Sequence, residues 1–224
     1  RLMLVLSIDT ATTDLVTGVV DTESGAVSER IITDTRAHNE QLIPTIQRLL
    51  EEKGMGFADL DAIVVGCGPG PFTGLRVGMA TASALGDALG IPVHGVCSHD
   101  AIAAEHGADK RILVATDARR KEIYWATYAE GVRVEGPGVV KPGEIAVEVE
   151  AVVIPGNLVE KLPEALQALP HVAANPRPAG LVAVADLSAT PAPLTPLYLR
   201  RPDAVPPKPK PRSAALPDIS GLSL

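Results

Sequence analysis

The stretch Leu4-Val5-Leu6-Ser7-Ile8-Asp9-Thr10-Ala11-Thr12-Thr13-Asp14-Leu15-Val16-Thr17-Gly18-Val19-Val20 carries the reading of the fold. An almost unbroken apolar run ends in an aspartate, crosses a polar turn and resumes as a second β-rich run. Leu2 to Ile8 reads as a strand buried on both faces, because neither face alternates to polar. The pattern returns in the second half. Ile112 to Thr116 is a strand ending in Asp117, and Asp117 precedes Ile123 by the same six residues that separate Asp9 from Leu15. In each copy a Gly-containing turn and a third strand follow, Ala26 onward in the first and Val132–Val134 in the second. A three-stranded unit repeated about 108 residues apart predicts a duplicated α/β fold.

Between the copies, Asp21-Thr22-Glu23-Ser24-Gly25 is a turn and Ala26 to Thr35 an edge-like strand. Leu42, Ile43, Ile46, Leu49 and Leu50 then fall on one helical face, opposite Gln47, Arg48, Glu51 and Glu52. Pro44 fits the first turn of that helix, and Gly54 ends it. Ala62 to Gly66 is a buried strand. A glycine-rich loop follows it and enters a helix running from about Thr73, the expected N-cap, to Gly90. Within this helix Gly74, Gly78, Ala82 and Gly86 make a ridge without side chains, suited to close approach of another helix. Pro92 to Val96 is a strand and His99 to His106 a short helix. After Ala151 the pattern is helical and Pro-rich, with twelve of the 20 prolines from Pro170 onward. Three regions follow: a first lobe, 1–107; a reduced second lobe, 108–200; and a Pro-rich tail, 201–224, whose run Pro206–Arg212 reads as extended.

Composition bounds the function. Twenty Lys+Arg against 27 Asp+Glu leave a net charge of −7. Gripping nucleic-acid phosphates takes a surplus of cations, and stacking bases takes aromatics, which make up only 3% of the chain. The longest uncharged run, Ala62 to Leu75, is too short and too interrupted to span a bilayer. No basic segment leads into an apolar one as a signal peptide would, so a cytoplasmic location is expected. Two cysteines, Cys67 and Cys97, make no disulfide framework, and the five histidines offer no metal-ligand spacing.

Four features bear on chemistry. The loop Gly66-Cys67-Gly68-Pro69-Gly70-Pro71-Phe72-Thr73-Gly74-Leu75-Arg76-Val77-Gly78 opens a helix, where backbone N–H groups hold phosphates. It matches neither phosphate-loop pattern, and its prolines remove donors; it reads as a tight loop that seats a small-faced helix. Asp9 and Asp117 end strands where actin- and hexokinase-like folds place metal and phosphate ligands, and local turn-forming aspartates fit equally. Cys67 with His94 or His99 imitates a nucleophile–base pair, against the plainer reading of a small buried thiol. Arg119-Arg120-Lys121 is the only compact basic cluster before the tail, in a hairpin beside Tyr124, Trp125 and Tyr128. Strand alternation puts Tyr124 and Tyr128 on one face and Trp125 on the other.

Five segments together resemble the bacterial TsaB (YeaZ) family of tRNA threonylcarbamoyladenosine biosynthesis proteins, in the actin/Hsp70-like superfamily. They are Leu6-Ser7-Ile8-Asp9-Thr10-Ala11, His38-Asn39-Glu40-Gln41-Leu42-Ile43-Pro44, Gly68 to Gly78, Asp117-Ala118-Arg119-Arg120-Lys121-Glu122-Ile123-Tyr124 and Pro196-Leu197-Tyr198-Leu199-Arg200. Pro71 stands where the family usually has Ser. The resemblance implies a two-lobed actin/Hsp70-like (ASKHA) α/β fold with duplicated βββαβα cores, the second lobe reduced. It implies a non-catalytic scaffold or activator that pairs through its first-lobe helices with a TsaD-like catalytic subunit, and that a TsaE-like ATPase joins. The complex then threonylcarbamoylates N6 of adenosine 37 in tRNAs decoding ANN codons. The TsaD-like metal pair His-x-x-x-His is absent, since Leu42 follows His38 by four.

On this reading the chain has no catalytic residue, no metal and no cofactor of its own, and ATP is used by the complex. The expected partner interface comprises Leu42, Ile43, Ile46, Leu50, Phe72, Leu75, Arg76, Gly78, Met79 and Ala82. Asp9, Thr10 and Asp117 are candidate nucleotide ligands, the basis of an alternative reading as a stand-alone ATP-dependent enzyme of the actin/hexokinase-like class. Arg119, Arg120 and Lys121 are candidate tRNA contacts within the complex. Monomer and homodimer both remain open for the isolated chain.

Overall fold

The computed structural model describes residues 3–107 and 109–200. The first strand, β1 (Leu4–Asp9), sits at the centre of a five-stranded sheet with β2 (Leu15–Asp21), β3 (Val27–Ile32), β4 (Ala62–Gly66) and β5 (Val93–Val96), in the order β3-β2-β1-β4-β5. Strands β1 and β2 are antiparallel, Leu4 opposite Asp21 and Asp9 opposite Val16, whereas β4 lies parallel to β1 with Val5 opposite Ala62. The second sheet contains β6 (Ile112–Asp117), β7 (Ile123–Ala129), β8 (Val132–Val140), β9 (Ala151–Val153) and β10 (His171–Val172), in the order β10-β9-β6-β7-β8. Both sheets therefore run third, second, first, fourth, fifth. The duplication expected from sequence is present, with Asp117 at the end of β6 opposite Ile123.

Strand β1 is apolar throughout because each face meets a separate core. On one side Leu6 and Ile8 pack with Leu42, Ile46, Leu49 and Leu50 of α1 (His38–Glu52) and with Leu75, Met79 and Ala82 of α2 (Phe72–Leu89). On the other, Val5, Val16, Ala62 and Val64 meet Ala101 of α3 (Ser98–His106) and Leu181 and Val182 of α5 (Pro178–Ala183). The second sheet shares α3: Ile102 and Ala103 pack with Ile112, Val114 and Tyr128. Its far face is covered by the short 3₁₀ turns Pro142–Glu144 and Gly156–Lys161 and by α4 (Glu164–Gln167) instead of two long helices. The second half is thus less helical than its sequence pattern implied, because prolines at 155, 163, 170, 176 and 178 break each run. Tyr128 faces α3 and Trp125 the opposite core, as alternation requires.

Three boundaries shift from the sequence expectation. Helix α1 begins at His38, so Pro44 lies in its interior rather than its first turn. Helix α2 starts at Phe72 with Pro71 in the N-cap position and no side-chain cap, so Thr73 lies inside the helix; Gly90 closes it at φ 66. Residues 178–194, grouped by sequence with the second lobe, return to the first: α5 covers its sheet and Leu194 packs with its core. The tail, 201–224, lies outside the described residues.

The glycine ridge of α2 faces inward. Thr10 Oγ1 donates to the Gly74 carbonyl at 2.6 Å and accepts the Gly78 N–H at 3.0 Å, so the hydroxyl sits on the pair that an unbroken helix bonds together. A Cβ at Gly78 would stand 2.6 Å from that oxygen. Beside it, Asp9 is fully buried. Its Oδ1 accepts the Ala11 N–H at 2.9 Å and its Oδ2 the Ser98 hydroxyl at 2.6 Å, while Ser98 Oγ accepts the Gly68 N–H at 3.2 Å. Burial raises the Asp9 carboxyl from 3.8 to about 6, outweighing the two hydrogen bonds that favour the charged form.

Two outcomes follow from this packing. Gly78→Leu drives bulk into Thr10 and should cost about 1–3 kcal/mol or more in urea unfolding; unaltered stability would place the ridge outward. For Asp9 the unfolded carboxyl ionises near 3.8 and the folded one only near 6, so stability is full below about pH 4 and declines as pH rises through 6. That loss amounts to about 3 kcal/mol by linkage. Asp9→Asn should abolish it, so the stability difference between wild type and variant should change across this window. A constant difference would show an ordinary carboxylate.

Candidate functional site

Burial sorts the residues predicted for the partner interface into two groups. Leu42, Ile46, Leu50, Leu75, Gly78, Met79 and Ala82 lie inside the first lobe and are not available to a partner. Helical periodicity identified an apolar face correctly, and the lobe's own sheet occupies it. Ile43 at 38%, Phe72 at 45% and Arg76 remain at the surface. Arg76 stacks its guanidinium 4.9 Å from the Phe72 ring centroid, and the other partner of that ring is Tyr198, centroid to centroid 4.9 Å.

The outward row of α2 continues from Phe72 and Arg76 through Ala80, Ser83, Ala84, Asp87 and Ala88, all exposed. Sequence inspection passed over this second small-residue row because glycines make the inner one more conspicuous. Its spacing of three and four was the available signal. Helices α1 and α2 lie side by side on one face of the first sheet, so their outer surfaces form a common exposed layer.

The candidate nucleotide ligands are not gathered at a shared opening. Asp9 and Thr10 are buried with their oxygens engaged as described, whereas Asp117 is exposed and accepts the Arg119 N–H at 2.8 Å. At Asp9 the turn-forming role is the one realised; the folded chain offers neither of its oxygens to a ligand. Residues 194–200 cross from one lobe to the other: Leu197 donates its N–H to the Cys67 carbonyl at 2.8 Å, Tyr198 stacks on Phe72, and Arg200 pairs with Glu122.

Beneath this crossing segment is a cavity of about 450 Å³, lined among others by Cys67, His94, Cys97, Asp100, Arg133 and Asp186. Its Asp100 carboxylate is engaged from two sides. Tyr128 donates its hydroxyl to Asp100 at 2.5 Å, and Arg133 lies 3.5 Å from the same carboxylate. Burial pushes the Cys67 thiol to about 11 and the Cys97 thiol to about 12, so both stay protonated at neutral pH. Cys67 donates to the Val65 carbonyl at 3.7 Å, and His99, lowered to about 3 by burial, meets Thr116 Oγ1 at 2.8 Å from its place on α3. The pairing of Cys67 with His99 considered from sequence is therefore not formed, and no hydrogen bond joins Cys67 to His94, although both line the cavity. His38 Nε2 lies 3.1 Å from the Thr12 carbonyl and pins the β1–β2 turn. Among the described residues no three His, Cys, Asp or Glu side chains converge on a point that would hold a metal. No helix among them is long and apolar enough to cross a membrane.

Arg119, Arg120 and Lys121 all stand exposed on the β6–β7 turn, and all three have left-handed backbone, φ 61, 50 and 61. That conformation costs L-residues about 1–2 kcal/mol each.

Comparison with known proteins agrees with this architecture. The family model described as TsaD, tRNA N6-adenosine threonylcarbamoyltransferase, matches residues 26–189. A Mycobacterium tuberculosis protein described as uncharacterized is 52% identical over 215 residues, which is 92% of this chain and 96% of that protein. The Escherichia coli tRNA threonylcarbamoyladenosine biosynthesis protein TsaB is 35% identical over 130 residues, 56% of this chain and 55% of TsaB. The Bacillus subtilis protein of that name is 34% identical, with the same two shares. YeaZ from Pseudomonas aeruginosa superposes with a TM-score of 0.69 at 26% identity, covering 81% of this chain and 89% of YeaZ. With matched topology, a family model spanning most of the chain and relatives so named, the chain belongs to the TsaD-like family of tRNA threonylcarbamoyladenosine biosynthesis proteins, in its TsaB (YeaZ) group.

Proposed function

We propose that this chain is a non-catalytic subunit of a tRNA threonylcarbamoyladenosine complex, and that it supports a TsaD-like catalytic partner by docking the outer layer of α1 and α2 against it. The observation that carries this reading is the exposed row on α2. The large Phe72 and Arg76 stand at one end, and Ala80, Ser83, Ala84 and Ala88 follow, small enough to let a partner helix approach closely. Ile43 adds an exposed apolar side chain from α1. Aromatic and Arg side chains are the usual anchors of such contacts. The same layer is open to a second copy of the chain when no partner is present.

Two further features favour a supporting role. Of the groups best suited to chemistry, Asp9, Cys67 and His99 are buried and Cys97 is half-buried, and they are held by intramolecular contacts or kept protonated or neutral. The net charge of −7 suits a subunit whose partner makes most of the phosphate contacts. In this scheme a TsaE-like ATPase consumes the ATP, and the complex works in the cytoplasm, where its tRNA substrate resides.

Ile43→Glu and Ala84→Arg test the reading, because both positions are exposed and tolerate the change within about 0.5 kcal/mol. Each variant should melt like wild type yet fail to co-elute with the TsaD-like partner on a sizing column. Wild-type co-elution by both variants would exclude this face.

A further inference from the structure

Rings are scarce in this chain, and the fold treats them unequally. Tyr124 and Tyr128 are buried, Phe57 and Trp125 half-buried, and only Phe72 and Tyr198 stand exposed, at 45% and 36%. These two meet, their centroids 4.9 Å apart and their planes tilted by 38°. Arg76, one turn along α2, places its guanidinium 4.9 Å from the centroid of the Phe72 ring. Among the described residues this is the one ring–ring contact and the one cation–ring contact, and both involve Phe72.

The two rings reach this spot from different parts of the fold. Phe72 is the first residue of α2, behind Pro71 at φ −62 in the N-cap position. Tyr198 belongs to the segment that crosses between the lobes. Before it, Leu194 packs with the first-lobe core, and Leu197 donates its N–H to the Cys67 carbonyl at 2.8 Å. Beyond it, Arg200 pairs with Glu122 of the second lobe. Tyr198 therefore lies between an attachment to each lobe, and through its ring the segment meets α2 at Phe72.

A ring that served only to fasten this segment would gain most by full burial, yet both rings keep more than a third of their surface in solvent. Half-exposed aromatics beside an Arg have the composition of interface anchors. An anchor binds best when its side chain is already held, because rotamer freedom lost on docking subtracts from affinity. Tyr198 and Arg76 restrain the Phe72 ring before any partner arrives. Phe72 also heads the outward row of α2, so the restrained ring is continuous with the layer described above.

We propose that Tyr198 is a positioning residue for the docking of the TsaD-like subunit, holding the Phe72 ring in the orientation in which it anchors that contact. The inference rests on the function proposed above, which sets the α1/α2 layer against the subunit, and it names what governs the strength of the pairing. The lobe-crossing segment supplies the ring, and its attachments to both lobes keep the ring in register with α2.

The test measures the affinity of the full chain for its TsaD-like partner by titration calorimetry, beside the melting temperature of the chain alone. Tyr198→Ala should weaken pairing about three- to tenfold. Tyr198→Phe keeps the ring and should pair like wild type. Phe72→Ala removes the anchor itself and should weaken pairing about tenfold or more. In that background Tyr198→Ala should add nothing, because a positioning residue acts only through the group it positions.

A Tyr198→Ala variant that melts lower yet binds like wild type has a merely structural Tyr198, and overturns the inference. Losses that add in full in the double variant also overturn it, since Tyr198 then acts independently of Phe72. Pairing by Tyr198→Phe as weak as that of Tyr198→Ala does the same and transfers the role to the hydroxyl. If Tyr198→Ala pairs normally while Ile43→Glu and Ala84→Arg abolish co-elution, the inference falls and the subunit reading stands. Failure of the wild-type chain to pair removes the subunit reading, and this inference with it.

Discussion

A buried carboxyl ties this molecule together. Asp9 ends the central strand of the first sheet and takes hydrogen bonds from Ala11 and from Ser98, and Ser98 in turn holds the glycine-rich loop at Gly68. Thr10, the next residue, sets its hydroxyl into the first turns of α2. Two adjacent side chains therefore position a strand end, a loop and two helices. Low dielectric strengthens each bond in this knot and makes any unpaired member costly. Its cost is visible in the raised Asp9 carboxyl, which is harder to ionise in the fold than in water.

The knot also bears on function. In an actin-like fold the ends of the equivalent strands β1 and β6 are natural ligand positions. Here the first is closed by its own protein partners, and the cavity near it is crossed by residues 194–200. Polar groups that would serve a reaction are instead spent on internal order. The first lobe presents the α1/α2 layer outward, and the second an exposed basic turn. The subunit role proposed above, acting through surfaces, draws on this arrangement.

Much of the architecture was legible because strands buried on both faces leave a run of apolar residues that no surface strand would tolerate. The repeat of that run, each time closed by Asp, announced the duplication. The reduced second lobe was legible only in part: its prolines are plain in the sequence, but not that they leave 3₁₀ turns over one face of the sheet. The return of α5 to the first sheet was not legible, since Leu181 and Val182 carry no mark of which lobe they serve.

The site divides in the same way. By itself the sequence determined the family, the duplicated succession of strands and which residues are apolar or small, because these follow from periodicity and from motifs read locally. Only the tertiary structure decided direction. A ridge at Gly74, Gly78, Ala82 and Gly86 admits any close neighbour, and the fold assigns that place to Thr10 and to strand β5. An aspartate at a strand end serves a ligand or a turn, and burial assigned Asp9 to its turn. Arg119, Arg120 and Lys121 are basic in any conformation, but only the folded backbone sets all three at positive φ. Periodicity specifies what a face is made of; which atoms fill the space opposite depends on contacts between residues far apart in the chain.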